Sequence, residues 1–261
     1  MSSPTVAAHA RSVGRGAPVW RRVVSQGAFE ARMILRNGEQ LLVTIALPVI
    51  VLIALARSGA VELPTDGARR IDVVAPGVLA LAVMSTAFTS QAIATAFDRR
   101  NGVLRLLATT PLGRGGLLAG KILAVALVEA FQVVVIGGTA ALLGWRPDPT
   151  GIPIAILVLV LGTAAFTSLA LLMAGTLRAE AVLAAANLVL VVLAVGGGVV
   201  VPTTQLPGAL EHVAVLLPSG ALGEALRASL QHATISSAPI AVLLAWTAVL
   251  GAAAARLFRW H

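Results

Sequence analysis

The chain has 261 residues and a formal net charge of +8, yet only 11% of its residues are charged and 58% are apolar. An ordinary soluble domain has about a quarter charged residues, and here the apolar residues form runs of about 20, the length that a helix needs to cross a bilayer. The composition excludes an ordinary soluble domain and predicts an all-α, polytopic integral membrane protein.

Residue types exclude several further classes. The chain has no cysteine, so disulfides, thiol catalysis and cysteine-ligated metals are excluded. Its four histidines show no metal-ligand spacing, and no catalytic motif is present. We therefore expect no catalytic residue and no metal site. Basic residues collect in the cytoplasmic loops of membrane proteins, so the positive charge does not indicate a nucleic-acid partner.

The N-terminal region divides into two parts. Residues 1–19 are rich in Ser, Ala and Arg and lack periodicity, which predicts a disordered cytoplasmic leader without a removable signal peptide. Residues 20–37 are amphipathic at helical spacing, which predicts a basic helix lying in the membrane interface. Its apolar face comprises Trp20, Val23, Val24, Ala28, Ala31, Ile34 and Leu35, with Phe29 and Met33 as exceptions.

Residues 38–261 are predicted to form a transmembrane domain of six spans. The expected spans are approximately Leu41–Ala56, Val73–Ala96, Leu117–Leu143, Pro153–Leu177, Ala181–Val200 and Ser237–Phe258. The first is short and contains Pro48. With both termini in the cytoplasm, the segments on that side hold 14 of the 19 basic residues. The excess of Lys and Arg on the cytoplasmic side of membranes favours this orientation.

The segment Phe97–Lys121 is a basic connection between two apolar runs. It carries five basic residues against one acid, Asp98. Leucines and Val103 precede Pro111, so we expect a short cytoplasmic helix over Phe97–Pro111 rather than an irregular loop. Such a helix offers a contact surface to a soluble partner.

The end of the same segment is similar to a nucleotide-binding loop. Residues Gly115 to Lys121 satisfy G-x-x-x-x-G-K, but Ile122 stands where a Mg²⁺-binding Ser or Thr is required. A membrane span follows directly, so nucleotide binding is not expected. Gly116 and Gly120 instead form a G-x-x-x-G pair that favours close helix packing, and Lys121 marks the cytoplasmic boundary of the third span.

The longest outer connection, residues 201–236, alternates proline and glycine with two short apolar-periodic stretches. This pattern predicts re-entrant or interfacial half-helices at the outer face, where irregular backbone must be buried in protein or line a cavity.

Polar residues inside the predicted spans are candidates for a pathway or an interface. Glu129 lies near the middle of the third span, with Gln132 one turn on. A carboxyl group at that depth is costly unless it is protonated, paired or in contact with water, so either a functional role or helix-packing hydrogen bonds can explain it. The further candidates are Gln91, Thr89 and Asn187. Ser85/Thr89 and Thr163/Thr167 are i, i+4 pairs, for which packing is the simpler interpretation.

The order of these parts resembles the membrane subunit, or permease, of bacterial ABC transporters of the type-2 exporter class. The resemblance covers about residues 20 to 258. It rests on the basic helix from Trp20, on FDRRNGVLRLLATTPLGRGGLLAGKIL from Phe97, and on GGGVVVPTTQLPGALEHVAVLLPSGALGEALR from Gly196. One departure is the basic Arg99-Arg100-Asn101, where relatives often keep a second acidic residue.

The resemblance implies a function and partners. The chain is expected to export a drug, an antibiotic or a lipid conjugate across the bacterial cytoplasmic membrane. It is expected to bind no cofactor, because ATP binds to a separate ATPase subunit present in two copies. The other expected partners are a second permease, identical or homologous, and membrane lipid. The ATPase is expected to dock on a coupling helix that comprises Arg99, Arg100, Val103, Leu104, Arg105, Leu106 and Leu107. A non-transporting membrane scaffold and a secondary transporter are the alternatives.

Overall fold

The computed structural model describes residues 17–58, 69–108, 110, 112–199 and 201–258, and the regular elements among them are helices. The predicted disordered leader lies almost entirely outside these residues. In chain order the α-helices are α1 (Val19–Arg36), α2 (Gly38–Leu41), α3 (Leu47–Arg57), α4 (Arg70–Val83), α5 (Gln91–Arg100), α6 (Val103–Ala108), α7 (Gly113–Leu142), α8 (Ile152–Thr176), α9 (Ala179–Gly196), α10 (Ala209–Ala214), α11 (Pro218–His232) and α12 (Ser237–Leu257).

Five helical segments of the described chain are long and apolar enough to cross a membrane. They are Arg70–Arg100, Gly115–Leu142, Pro149–Thr176, Ala179–Gly196 and Ser237–Leu257. Their ends lie within a few residues of five predicted spans, and the polytopic membrane fold follows from them. The first predicted span corresponds to the shorter apolar helix Leu42–Arg57. A total of six spans therefore stays a prediction.

Two segments of π-helix interrupt the regular helical hydrogen bonding. One, Leu42–Ala46, precedes α3, and the other, Met84–Ser90, joins α4 to α5 in one continuous helix. A π-segment changes the backbone register, so the faces of a helix before and after it are not those of a regular helix. The i, i+4 argument for Ser85 and Thr89 assumed a regular α-helix, and that assumption is wrong because both residues lie in the π-segment.

The helix Arg70–Arg100 forms the centre of the bundle, and most of its residues between 71 and 96 are buried. The α8 helix packs against both halves of it, and Phe88 of the π-segment meets Phe166 of α8 with ring centroids 6.5 Å apart. The α12 helix packs on the other side of α8 and leaves most of its own surface exposed. Burial of the central helix thus positions the polar residues of the π-segment inside the protein rather than against lipid.

The α1 helix packs lengthwise on the first half of α7. Gly27 of α1 and Gly120 of α7 allow this approach, because a Cβ atom at Gly27 would lie 2.9 Å from the Leu123 side chain and one at Gly120 would lie 2.8 Å from Gln26 Cγ. The buried residues of α1 are Gly27 and Ala31. Of the predicted apolar face, Ala31 is buried against α7, whereas Trp20, Val24 and Ala28 are exposed. The location of this helix in the membrane interface stays a prediction.

The segment between α9 and α12 holds two helices, α10 and α11. A buried Arg227 side chain donates to the carbonyl oxygens of Gly198 (2.8 Å) and Val199 (3.0 Å) and pairs with Glu224. Glu224 in turn accepts from the backbone N–H of Thr203 at 2.8 Å. These bonds satisfy the irregular backbone after α9 within the protein, as an apolar environment requires. The position of α10 and α11 relative to a membrane stays a prediction.

Candidate functional site

The short helix α6 is defined by a turn at Gly102. Gly102 has φ 74° and donates its N–H to Arg99, so α5 ends there and a new helix begins at Val103. The predicted helix over Phe97–Pro111 is therefore too long. The residues from Phe97 to Arg100 belong to the last turn of α5, because the positive φ of Gly102 changes the direction of the chain after it.

The α6 helix packs against α5 and α7 and has one buried and one exposed side. Leu104 is only 1% exposed, whereas Leu106 is 69% and Val103 36% exposed. Arg105 is also exposed. We call Val103, Arg105 and Leu106 the α6 surface. The side chain of Leu107, which was also predicted to contact the partner, lies outside the described part of the chain.

Two of the predicted coupling residues bind within the chain. Arg99 donates to the carbonyl oxygen of Leu177, and Arg100 pairs with the carboxylate of Glu180. Leu177 follows α8 and Glu180 lies in the first turn of α9. The two arginines therefore connect the end of α5, next to α6, with the turn between α8 and α9. The sequence did not predict these contacts, because their partners are about 80 residues away.

Lys121 joins three helices near α6. It is 4% exposed, and its Nζ lies 2.8 Å from Asp98 Oδ2 and 3.6 Å from Glu30 Oε2. Asp98 lies in α5 and Glu30 in α1. The loop-like motif that ends at Lys121 is thus the beginning of a packed helix, with the lysine directed at two carboxylates. We call Lys121, Asp98 and Glu30 the Lys121 cluster.

Gln132 connects the two π-segments. Its Nε2 donates to the carbonyl oxygen of Thr44 at 2.5 Å and to Thr86 Oγ1 at 2.8 Å. Thr44 lies in the first π-segment and Thr86 in the second, and all three residues are buried. We call them the Gln132 network. The network therefore ties the two irregular segments of the described chain to α7, and π-helical turns are frequent at functional positions.

Glu129 faces a different neighbour. It is 8% exposed, and its Oε2 accepts from Thr163 Oγ1 of α8 at 2.5 Å. Its Oε1 has no hydrogen-bond partner among the described residues. Glu129 and Gln132 lie one turn apart on α7, but they bond to different helices. One oxygen of the carboxyl group thus joins α7 to α8, and the other can accept a further hydrogen bond.

The remaining intramembrane candidates are dispersed. Gln91 donates to Thr95 one turn along its own helix, and Thr89 is buried with no hydrogen-bond partner for its hydroxyl among the described residues. Asn187 is exposed and donates to the carbonyl oxygen of Leu183 on its own helix. Among the described residues no hydrogen bond joins these side chains to Glu129, and their role in a pathway or an interface stays a prediction.

Sequence reasoning missed Glu30, Asp98, Glu180 and Thr44 as partners. The single acid in the basic segment, Asp98, was visible in the sequence and could have been assigned to Lys121. The carbonyl oxygen of Thr44 could not, because backbone acceptors leave no residue signal and the π-segment is invisible to helical periodicity.

The fold and these sites define a multi-pass helical membrane protein with a short helix exposed at one end of its bundle. The family model described as ABC-2 type transporter matches residues 27–230. The chain belongs to this family and is a membrane subunit of an ABC transporter, a class that generally works with an ATPase subunit. No curated protein matches the chain in a sequence comparison.

Proposed function

We propose that the chain is the permease of an ATP-driven exporter that moves an amphipathic drug-like or lipid-linked compound out of the bacterial cytoplasm. A separate ATPase, present in two copies, docks on the α6 surface. The observation that carries the proposal is the exposure of Val103 and Leu106 on a helix whose other side is anchored by buried Leu104. An apolar side chain presented on a short helix fits the groove of a soluble partner.

The attachments of α6 explain how a partner can move the bundle. The helix follows α5 directly and packs on α7, and the Lys121 cluster fastens α5 to α7 and α1. A displacement of α6 is therefore transmitted to the central helix and to α7 together. Coupling of this kind requires an element with two discrete arrangements, and the π-segments joined by Gln132 are the element we assign to that role.

The charge distribution supports a cytoplasmic location for α6. Arg99, Arg100, Arg105, Lys121 and Arg178 all lie at or near this end of the bundle. The excess of Lys and Arg on the cytoplasmic side of membranes favours this orientation, and with six spans both termini are then cytoplasmic. The proposed direction of transport rests on the resemblance to the type-2 exporters, and a second permease, identical or homologous, completes the proposed complex.

The docking surface is tested by Leu106→Asp. We expect this variant to insert in the membrane but to lose both copurification of the ATPase and ATP-driven transport, because the new carboxylate must be desolvated in the groove. The matched control is Leu210→Asp, which makes the same change on an exposed leucine of α10. Unchanged copurification and transport with Leu106→Asp contradict the proposal. Failure of any ATPase to copurify with the native chain favours a non-transporting scaffold.

A further inference from the structure

A lateral cleft lies between α7 and α8. Its volume is about 570 Å³, within the range of small-molecule sites. It exists because α7 packs mainly on α1 and α4, whereas α8 packs mainly on α12, α11 and α5. Small side chains, Ala126 and Ala130 of α7 and Ala164 of α8, leave the space open.

The mouth of the cleft is on the apolar outer surface of the bundle. Ile156 and Val160 on α8 are 56% and 59% exposed, and Ile122 on α7 is 50% exposed. These residues belong to two of the helices that are long enough to cross a membrane. A molecule dissolved in the hydrocarbon of the bilayer therefore has direct access to the cleft.

The wall of the cleft carries two unsatisfied polar atoms. Glu129 Oε1 and Thr167 Oγ1 are buried, have no hydrogen-bond partner among the described residues, and belong to side chains that line the cleft. Buried polar groups are nearly always hydrogen-bonded, so each such exception needs an explanation. A lipid acyl chain does not explain them, because it can neither donate nor accept a hydrogen bond.

Hydrogen-bond geometry defines what the ligand must offer. Thr163 Oγ1 donates to Glu129 Oε2 at 2.5 Å, so this oxygen of the carboxyl group already has a hydrogen bond. Glu129 Oε1 has no hydrogen-bond partner among the described residues and is an acceptor, and Thr167 offers a hydroxyl proton. A ligand hydroxyl or secondary amide satisfies both atoms, because it donates to one and accepts from the other.

We infer that the α7–α8 cleft is a binding site for a neutral amphipathic molecule with an apolar body and a hydroxyl or amide group that bonds to Glu129 and Thr167. The inference names a substrate class for the exporter and in that respect rests on the proposed function. Binding itself is independent of transport, and the two are measured separately.

The test uses a photoreactive long-chain alcohol that carries a diazirine in its alkyl chain, added to the full-length protein in lipid nanodiscs. We expect crosslinks to map to cleft residues of α7 and α8. The methyl ether of the same probe is expected to label about five-fold less, the factor given by loss of one net hydrogen bond. Equal labelling by alcohol and ether overturns the inference.

Variants identify the polar groups. Thr167→Val keeps the shape but removes the hydroxyl, and Glu129→Ala removes the carboxyl; each is expected to reduce alcohol labelling about five-fold. The matched control is Thr139→Val on α7, whose hydroxyl donates to the carbonyl oxygen of Val135 on its own helix. Ala130→Phe is expected to abolish labelling by filling the cleft, while Ala184→Phe on the exposed side of α9 leaves labelling unchanged. If Thr167→Val and Ala130→Phe leave the extent of labelling unchanged, the cleft is not a specific binding site.

A second copy of the chain is the other possible occupant of the cleft. Because the chain has no cysteine, Ala126→Cys introduces a unique thiol at the mouth. We expect no crosslinked dimer when a short bis-maleimide is added; efficient dimer formation assigns the cleft to a subunit interface and overturns the inference. Specific labelling without ATP-driven transport supports the binding site and contradicts the proposed function. ATP-driven transport without specific labelling supports the proposed function and contradicts the binding site.

Discussion

The Nζ of Lys121 lies 2.8 Å from the Oδ2 of Asp98, so the first part of α7 is fastened to the last turn of α5 immediately before α6. The same ammonium group lies 3.6 Å from Glu30 of α1. One buried cation therefore joins α1, α5 and α7, and α6, the proposed ATPase contact, packs on the last two of these helices.

Lys121→Met is expected to lower the free energy of unfolding by about 2 kcal/mol, because two carboxylates lose a charged hydrogen-bond donor. Thermal unfolding in detergent measures the change. Arg105→Met, which removes a charge from an exposed side chain of α6, is the control and is expected to change stability by less than about 0.5 kcal/mol.

The pairing itself is tested by a double-mutant cycle of Lys121→Met and Asp98→Asn. Residues in direct contact show interaction energies of about 0.5–3 kcal/mol, so the two changes should not be additive. Additive effects contradict a direct interaction between the two side chains.

Gln132→Leu is expected to destabilise the bundle by about 1 kcal/mol, because the carbonyl oxygen of Thr44 and the hydroxyl of Thr86 lose their shared partner in an apolar environment. Asn187→Leu likewise replaces an amide by leucine, on an exposed side chain that donates to the carbonyl oxygen of Leu183 on its own helix, and it should be nearly neutral. Unfolding of both variants in denaturing detergent gives the comparison. Equal stability of the two variants argues against the Gln132 network.

Gly220→Ala is expected to destabilise α11 by about 1–3 kcal/mol through overpacking. A Cβ atom at this position would lie 2.1 Å from the carbonyl oxygen of Ala214 and 2.8 Å from that of Gly197, and neither backbone atom moves easily. Gly138→Ala is the control, since nothing lies within 4 Å of its Cβ position and alanine favours the helix. A stable Gly220→Ala protein would show that α10 and α11 pack less closely than the structure has them.

Glu129→Gln is expected to be mild, because an amide retains a hydrogen bond with Thr163, whereas Glu129→Ala removes it and costs about 1 kcal/mol. Thermal stability and transport are measured for both. Complete loss of transport in both variants at native stability indicates instead that the carboxyl group itself is required for function.

The sequence determined which segments are apolar, and it predicted the helices well. Five segments that are long enough to span a membrane follow the predicted runs closely because hydropathy is a local property. The short helix before Pro111 was also predicted, since leucine spacing and the preceding glycine are local signals. Its predicted start at Phe97 was wrong by six residues, because the end of α5 depends on the conformation of Gly102.

The tertiary structure alone decided what each polar residue does. Lys121, read from the sequence as a boundary marker, is the centre of a charged cluster, and Glu129 and Gln132, one turn apart, bond to different helices. Composition fixes how much apolar surface a helix presents. The partners of a buried polar group come from distant parts of the chain, and only the packing of the helices, with the register change of the π-segments, brings them within hydrogen-bond distance.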